Sequence, residues 1–484
     1  MGTLLFVVLS LLAAVTPAPY AELKEKGEAF VAEKSFAKAH AVYEEASHLA
    51  LTPEEKRWVA MRLADTAWRA DEEPRDEARK ALEEIARSED HDRIYAEANE
   101  SLGDYVSQRR TGGDAMQWYG AALGWWAGSD DLPLARKRYL GIVFRISGRG
   151  DEPPYERIAV PKEVLANAVA IAETADDRAH ARLLYALSLM TEYRPEPVER
   201  ALELLDEVIA MGKTTSRYDQ ALYTAATELS QPGGVVVEDG QAAFKPDYVK
   251  SLALYHRIVN EFTSKESRYY ENAQRMIESI EQPSVAVLTA GTFLPSSEQE
   301  VQLNWRNVKA VDFDVIAIDL TKIVVAAKRG NWIDQLPSTG SSVRRWRFDT
   351  NDRGDHAIGN QSIRIPSRLE PGAYVVVAWA GNHQSKALLL VTDANIVLHH
   401  ARGRIDAFVC NAVTGEPMAN AHVRLWHQTA DDVFKSTDAM AGADGVVTIP
   451  LAGDTRGMVT VFASSKNRQA WVSTWDYSVA SDHD

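Results

Sequence analysis

The sequence predicts a multidomain α-then-β protein, in which an α-solenoid of stacked helix pairs is followed by two antiparallel β-sandwiches. Three observations carry that prediction. A chain of 484 residues exceeds what one hydrophobic core organises, so two to four domains are expected. From Glu22 to about Glu281 the chain is rich in Ala, Leu, Glu, Lys and Arg, with apolar residues at helical spacing. At Gln282-Pro283 the texture changes to a period of two, which places alternate side chains on opposite faces of a strand.

Composition bounds the function classes. Hydrophobic residues make up 45% of the chain and charged residues 25%, values typical of a globular protein. The formal charge of −16 argues against binding driven by a nucleic-acid phosphate backbone. A single cysteine, Cys410, allows no intrachain disulfide.

The N-terminus, MGTLLFVVLSLLAAVTPAPYAELK, carries an apolar run from Leu4 to Val15 followed by small residues. The run is too short to span a bilayer and suits the apolar region of a secretory signal. Cleavage after Ala18 or Ala21 would place small residues at the cut, although no Lys or Arg precedes Lys24. Export to the periplasm or the extracellular space is the expectation, with residues 1–21 as the signal. No cysteine lies near the cut to take a lipid, and no later segment has the length and apolarity of a membrane span.

Residues 22–281 read as the helical repeat domain. Gly27, Phe30, Phe36, Ala39, Tyr43 and Ala46 return in spacing as Leu102, Gly103, Ala115, Tyr119 and Ala122. Degenerate copies follow at Ala201, Leu205 and Val208, and at Ser251, Tyr255 and Ile258. The spacing resembles the tetratricopeptide repeat. A small residue lets two helices of a pair approach, an aromatic ring fills the gap, and stacking buries what one pair cannot. Ten to twelve helices are expected, at about two per 34-residue repeat plus caps. The segments 148–161 and 230–240 are expected as irregular spacers.

Residues 282–395 and 396–484 read as two successive sandwiches of about 100 residues each, with truncation of the second left open. Strands are expected at VQLNW and VDFDVIAID, then at 373–379, 387–393, 405–410, 421–426, 446–451 and 458–464, with turns at Glu370-Pro371-Gly372, Thr414-Gly415-Glu416-Pro417 and Asp444-Gly445.

The order of these parts resembles the N-terminal region of bacterial alpha-2-macroglobulin family proteins. The residues that carry the resemblance are Leu369, Pro371, Gly372, Tyr374, Val376 and Ala378 of an LxPGxYxVxA segment, then Leu390 to Asp393. In the next domain they are Thr414, Gly415, Pro417, Ala421, Val423 and Leu425 of a TGxPxxxAxVxL hairpin. The resemblance implies immunoglobulin-like, macroglobulin-like sandwiches and a broad-range endopeptidase inhibitor that traps proteases. It also implies further macroglobulin-like domains beyond Asp484. The family's Cys-x-Glu-Gln thioester has no counterpart here, because Asn411, Ala412 and Val413 follow Cys410.

Candidate chemistry is sparse, and the expectation is a protein that is not an enzyme, with no catalytic, metal or cofactor-binding residue. Cys410 reads as a buried sandwich or strand residue, with no Lys or His in its strand to lower the thiol's pKa. His399 and His400 point to opposite faces of a strand and cannot readily share an ion. Acidic stretches at 349–355 and 431–438 read as solvated loops, with a weak structural cation as the alternative. The RGD triplet at Arg149, Gly150 and Asp151 reads as chance. Trp118, Tyr119, Trp125 and Trp126 sit at the spacing of a helix-packing stripe, with one tryptophan ring left open to a partner as the alternative. Protein partners are therefore expected: target proteases through the whole molecule, or a cell-envelope partner through the repeats.

Overall fold

The computed structural model describes residues 19–476 apart from 71–75, 109–111, 149–157, 193, 232–234, 239–240, 321–335, 402, 430–433 and 452–454. The proposed signal up to residue 18 and most of the 148–161 spacer, RGD triplet included, lie outside them. Among the described residues, helices fill the first half and strands the second. The chain divides into two compact units, residues 1–246 with 257–270, and residues 247–256 with 271–484.

The helices are α1 (Tyr20–Ala32), α2 (Phe36–Ser47), α3 (Pro53–Ala70), α4 (Asp76–Ala86), α5 (Arg93–Gln108), α6 (Gly112–Ala127), α7 (Leu132–Ile146), α8 (Lys162–Ile171), α9 (Ala175–Met190), α10 (Pro195–Met211), α11 (Tyr218–Ser230), α12 (Tyr248–Glu261) and α13 (Tyr270–Glu281). These are thirteen among the described residues, one more than the upper expectation, because the stretches between recognisable repeats also coil. Where it is described, the second expected spacer is regular: Val235–Glu238 forms β1, which pairs with β2 (Gln241–Phe244) just beyond it.

The glycine–tyrosine spacing has a direct physical cause. A Cβ on Gly27 would lie 2.3 Å from the Tyr43 ring, and one on Gly103 would lie 2.6 Å from the Tyr119 ring. Both glycines open the floor on which the partner helix's ring rests. Ala39, Tyr43 and Ala46 are buried in one core with Trp58 and Trp68. Ala115, Tyr119, Ala122 and Trp126 join a second core with α7 and α8.

In the second half, β3 (Ser284–Thr289), β5 (Glu300–Arg306) and β8 (Gly359–Arg364) form one sheet in the order β3-β5-β8. Facing it stands the order β4-β10-β9-β6-β7, made of β4 (Thr292–Phe293), β6 (Ala310–Ile318), β7 (Ser342–Asp349), β9 (Gly372–Ala380) and β10 (His383–Val391). Only the short β4–β10 pair is parallel among the described ladders. Val301, Leu303, Phe313, Val315, Val376 and Leu389 fill the space between the sheets. Tyr374 donates its hydroxyl to the Glu370 carbonyl at 2.7 Å and so ties down the turn before β9.

The second sandwich sets β11 (Ala394–Ala401), β12 (Arg404–Asn411) and β15 (Val446–Pro450) against β14 (Phe434–Met440), β13 (His422–Thr429), β16 (Thr455–Ser465) and β17 (Arg468–Asp476). Ile405, Ala407, Val409, Ala421, Val423 and Leu425 lie in its core. The expected TGxP hairpin does not form. β12 pairs with β11 and β15, whereas β13 pairs with β14 and β16, so the segment crosses from one sheet to the other. The pairing across the turn is confined to its base, where Cys410 bridges Pro417 and the Asn411 and Met418 amides donate to the Glu416 and Val409 carbonyls. Alternation on both strands is satisfied equally well by facing sheets, because each strand has one buried face in either arrangement.

Between the two sandwiches lies a third core. Ala373, Val375 and Val377 of β9 and Leu388 and Leu390 of β10 turn away from the first sandwich's interior and surround Phe462 of β16. Trp379, Trp426 and Trp471 close around them. The runs AYVVVAW and ALLLV are thus apolar at every position because both faces of those strands are covered. Two residues, Thr392 and Asp393, separate β10 from β11. Arg468 pairs with Asp393 at 2.6 Å, and the Leu320 amide donates to Gln469 Oε1 at 2.9 Å.

The end of α13 is fastened to the first sandwich in the same unit. Asn307 Nδ2 donates to the Ile280 carbonyl at 2.7 Å, satisfying one of the open carbonyls of the helix end. Asn307 adopts a left-handed φ of 55° to do so, and His356 Nδ1 lies 2.8 Å from its Oδ1.

Candidate interaction surface on the helical repeats

Three helices one repeat apart carry charged residues on a shared face. α3 supplies Arg62, Asp65 and Arg69, α5 supplies Arg93, Glu97, Glu100 and Asp104, and α7 supplies Arg138 and Arg145. Spacings of three, four and seven residues hold each set on one helix side. Glu97 receives Arg62 at 2.7 Å, Arg93 at 2.8 Å and Arg138 at 3.0 Å. Asp104 receives Arg69 at 2.7 Å, Arg145 at 3.1 Å and the Tyr119 hydroxyl at 2.7 Å. Asp65 pairs with Arg69 at 2.8 Å and accepts from Ser101 at 2.5 Å, while Trp68 Nε1 donates to the same serine hydroxyl at 3.0 Å.

The carboxylates lie beneath the guanidiniums. The Glu97 side chain is 3% exposed, while Arg93 and Arg145 are 49% and 44% exposed. Burial opposes ionisation of Asp65 and Glu97. The surrounding arginines outweigh it, and both carboxyls are held below their ordinary values. At Glu100 burial prevails over Arg138 and Arg145, and its pKa is pushed up. The chemistry exposed outward is thus a strip of N–H donors fixed from below.

Two further features belong to this half. A groove of about 570 Å³ runs beside α8 and α9, lined by Ile158, Val160, Leu165, Leu184, Leu187 and Thr191. His180 of α9 stacks on Phe144 at 4.1 Å, with Arg217 3.3 Å from its ring nitrogen. Burial, reinforced by Arg217, pushes its pKa down to about 4.

The residues singled out by sequence fall as follows. Tyr119 and Trp126 are buried, as a packing stripe requires, while Trp125 is half-buried and donates Nε1 to the His91 carbonyl at 2.9 Å. Cys410 is buried but lies outside the sandwich core. Alternation from Ala407 and Val409 turns it to the outer face of the strand, and its backbone bridges Pro417 of the following turn. His399 stands in the open, 3.4 Å from Asp406, and the side chain of His400 lies outside the description. The 431–438 stretch is no loop where it is described. Asp438 lies in β14 and pairs with Arg424 at 2.7 Å and His422 at 3.0 Å. In 349–355, Asp352 accepts from the Gly354 amide and caps its own turn. Among the described residues no three potential metal-ligating side chains converge, and no helix is long and apolar enough to cross a membrane.

The guanidinium strip escaped sequence reasoning, although a signal for it was present. Arg62 and Glu97, and Arg69 and Asp104, are each separated by 35 residues, close to the repeat period that brings successive helices side by side.

No protein-family model matches the chain, and no curated protein sequence matches it. Among solved structures, the chain is similar to native alpha-2-macroglobulin from Escherichia coli spanning domains MG0-NIE-MG1, with 16% identity and a TM-score of 0.28. That match covers 40% of this chain and 64% of the other, so it spans less than two thirds of the solved fragment. A second fragment of the same protein, spanning NIE-MG1, matches at 16% identity and a TM-score of 0.27, covering 40% of this chain and 97% of its own. The D0-D1 domain of intimin matches at 13% identity and a TM-score of 0.18, covering 40% and 98%. The fold established for the chain is a helical half followed by β-sandwich domains.

Proposed function

We propose that this chain is the N-terminal portion of an exported alpha-2-macroglobulin-like protein, in which the helical repeats dock the molecule and the two macroglobulin-like sandwiches frame a protease trap. The chain itself takes no catalytic part. The observation that carries the reading is the third core. A frame that closes around a protease must transmit force between domains, and Phe462 buried against β9 and β10 makes the two sandwiches one packed body rather than beads on a linker. The LxPGxYxVxA and TGxP segments support the family side of the reading, and they sit where a turn and a sheet crossing need them.

The test uses the complete gene product and a panel of endopeptidases. A trap leaves cleavage of a small chromogenic substrate intact while blocking cleavage of a protein substrate, and it changes hydrodynamic size on protease addition. Absence of both effects would reject the trap. Undiminished trapping after deletion of residues 22–246 would reject the docking role of the repeats.

A further inference from the structure

We propose that the guanidinium strip over α3, α5 and α7 is a docking surface for an extended acidic peptide segment of a partner protein, with Arg93, Arg138 and Arg145 as its contacts. This gives the docking role above its partner chemistry and rests on that role.

The argument begins with which atoms face outward. Five guanidiniums share the four buried carboxylates, with the half-exposed Glu28 3.6 Å from the equally buried Arg62, and Arg93 and Arg145 are the most exposed guanidiniums of the set. A guanidinium has five N–H donors. Arg93 spends Nε on Glu97, and Arg145 spends Nε and Nη2 on Asp104 and Glu100, which leaves outward donors on both. The carboxylates below hold these donors in place, so an arriving ligand orders little that is not already ordered. A planar fork fixed in this way suits the two oxygens of a carboxylate.

Geometry and charge define the occupant further. The contacts lie on α5 and α7: Arg93 and Arg138 meet at Glu97, and Arg138 and Arg145 stand seven residues, about 10 Å, apart along α7. About three residues of extended chain at about 3.3 Å each cover that distance, so a six-residue segment spans it with room at either end. A basic segment would meet guanidinium nitrogens first. A nucleic acid would meet the same strip on a chain of formal charge −16, whose field repels a long polyanion but acts weakly on a short one.

The experiment is fluorescence anisotropy on the full chain with a labelled peptide containing six consecutive glutamates. A six-lysine peptide and a single-stranded oligonucleotide serve as comparison probes. The expected result is saturable binding of the glutamate peptide that weakens at least tenfold in Arg93→Ala/Arg145→Ala and is unchanged in Arg200→Ala, an exposed arginine elsewhere. Should the double variant lose helical circular dichroism, Arg93→Ala alone is read, with an expected loss of several-fold. No saturable binding, equal binding by the variant, or equal binding of either comparison probe would overturn the proposal. Protease trapping that needs residues 22–246 but tolerates Arg93→Ala/Arg145→Ala would sink the acidic partner alone and leave the docking role standing.

Discussion

Gly27 on α1 and Tyr43 on α2 approach so closely that a Cβ on the glycine would lie 2.3 Å from Tyr43 Cε1. Glycine inside a helix normally costs about 1 kcal/mol relative to alanine, so Gly→Ala should stabilise wherever space allows. Here the ring forbids it. Gly27→Ala and Gly103→Ala are expected to destabilise the helical unit by about 1–3 kcal/mol through overpacking. Gly124→Ala, which meets nothing within 4 Å, is expected to be neutral or stabilising by up to about 1 kcal/mol. Urea unfolding followed by helical circular dichroism checks all three, and a stabilised Gly27→Ala would refute the packing.

Glu97 holds Arg62, whose side chain is 9% exposed. Glu97→Gln removes the nearest counter-charge of that buried guanidinium and leaves only Glu28 at 3.6 Å, at an expected cost of up to about 3–5 kcal/mol. The pH dependence follows from the direction of the shift. The folded pKa lies below the unfolded one, so the contribution is complete above the unfolded value of about 4.3 and is lost as pH falls through the folded value. The gap between wild type and Glu97→Gln should therefore close as pH is lowered from about 5. Glu100 has the opposite sign, since its cost as a carboxylate is relieved on protonation, and Glu100→Gln should be the milder change at neutral pH. Unfolding midpoints at pH 7 and pH 4 separate the two.

Among the described residues, Phe462 is the side chain of the second sandwich fully buried within the third core, where Trp426 and Trp471 pack partly buried beside it. Phe462→Ala is expected to cost about 3–5 kcal/mol and to speed amide exchange in β9 and β10 as well as in β16. Unchanged exchange in Gly372–Val391 would mean that the two sandwiches are not packed through this ring.

Cys410 is buried, and its backbone bridges Pro417 of the following turn. A bulky thiol reagent should label it slowly in the native protein and quickly in urea. Rapid native labelling would contradict that burial.

The division of the chain into helix and strand was legible because periodicities of 3.6 and 2 are local. Gly27, Tyr43, Gly103 and Tyr119 were legible for a related reason: one helix pair contains both members of each contact. β7 and β8 were not read from the sequence. Arg344, Arg345 and Arg347 break the apolar content of the first, and Gly359-Asn360-Gln361-Ser362 that of the second, since each lies at an edge of its sheet. Among the candidate site residues, the strip was hidden because Arg62, Glu97 and Arg138 look like ordinary solvated charges on three separate helices.

The sequence by itself determined the two textures, the small-and-aromatic spacing of the repeats, and which side of each strand is apolar. Tertiary structure alone decided which segments meet. Alternation says that Ala421, Val423 and Leu425 share a buried face, but not that β13 joins the sheet opposite β12. An unbroken apolar run says that β9 is covered twice, but not that Phe462 supplies part of the second cover. Side-chain direction is set by each residue's own backbone, whereas a partner 35 or 90 residues away is chosen by how whole elements stack.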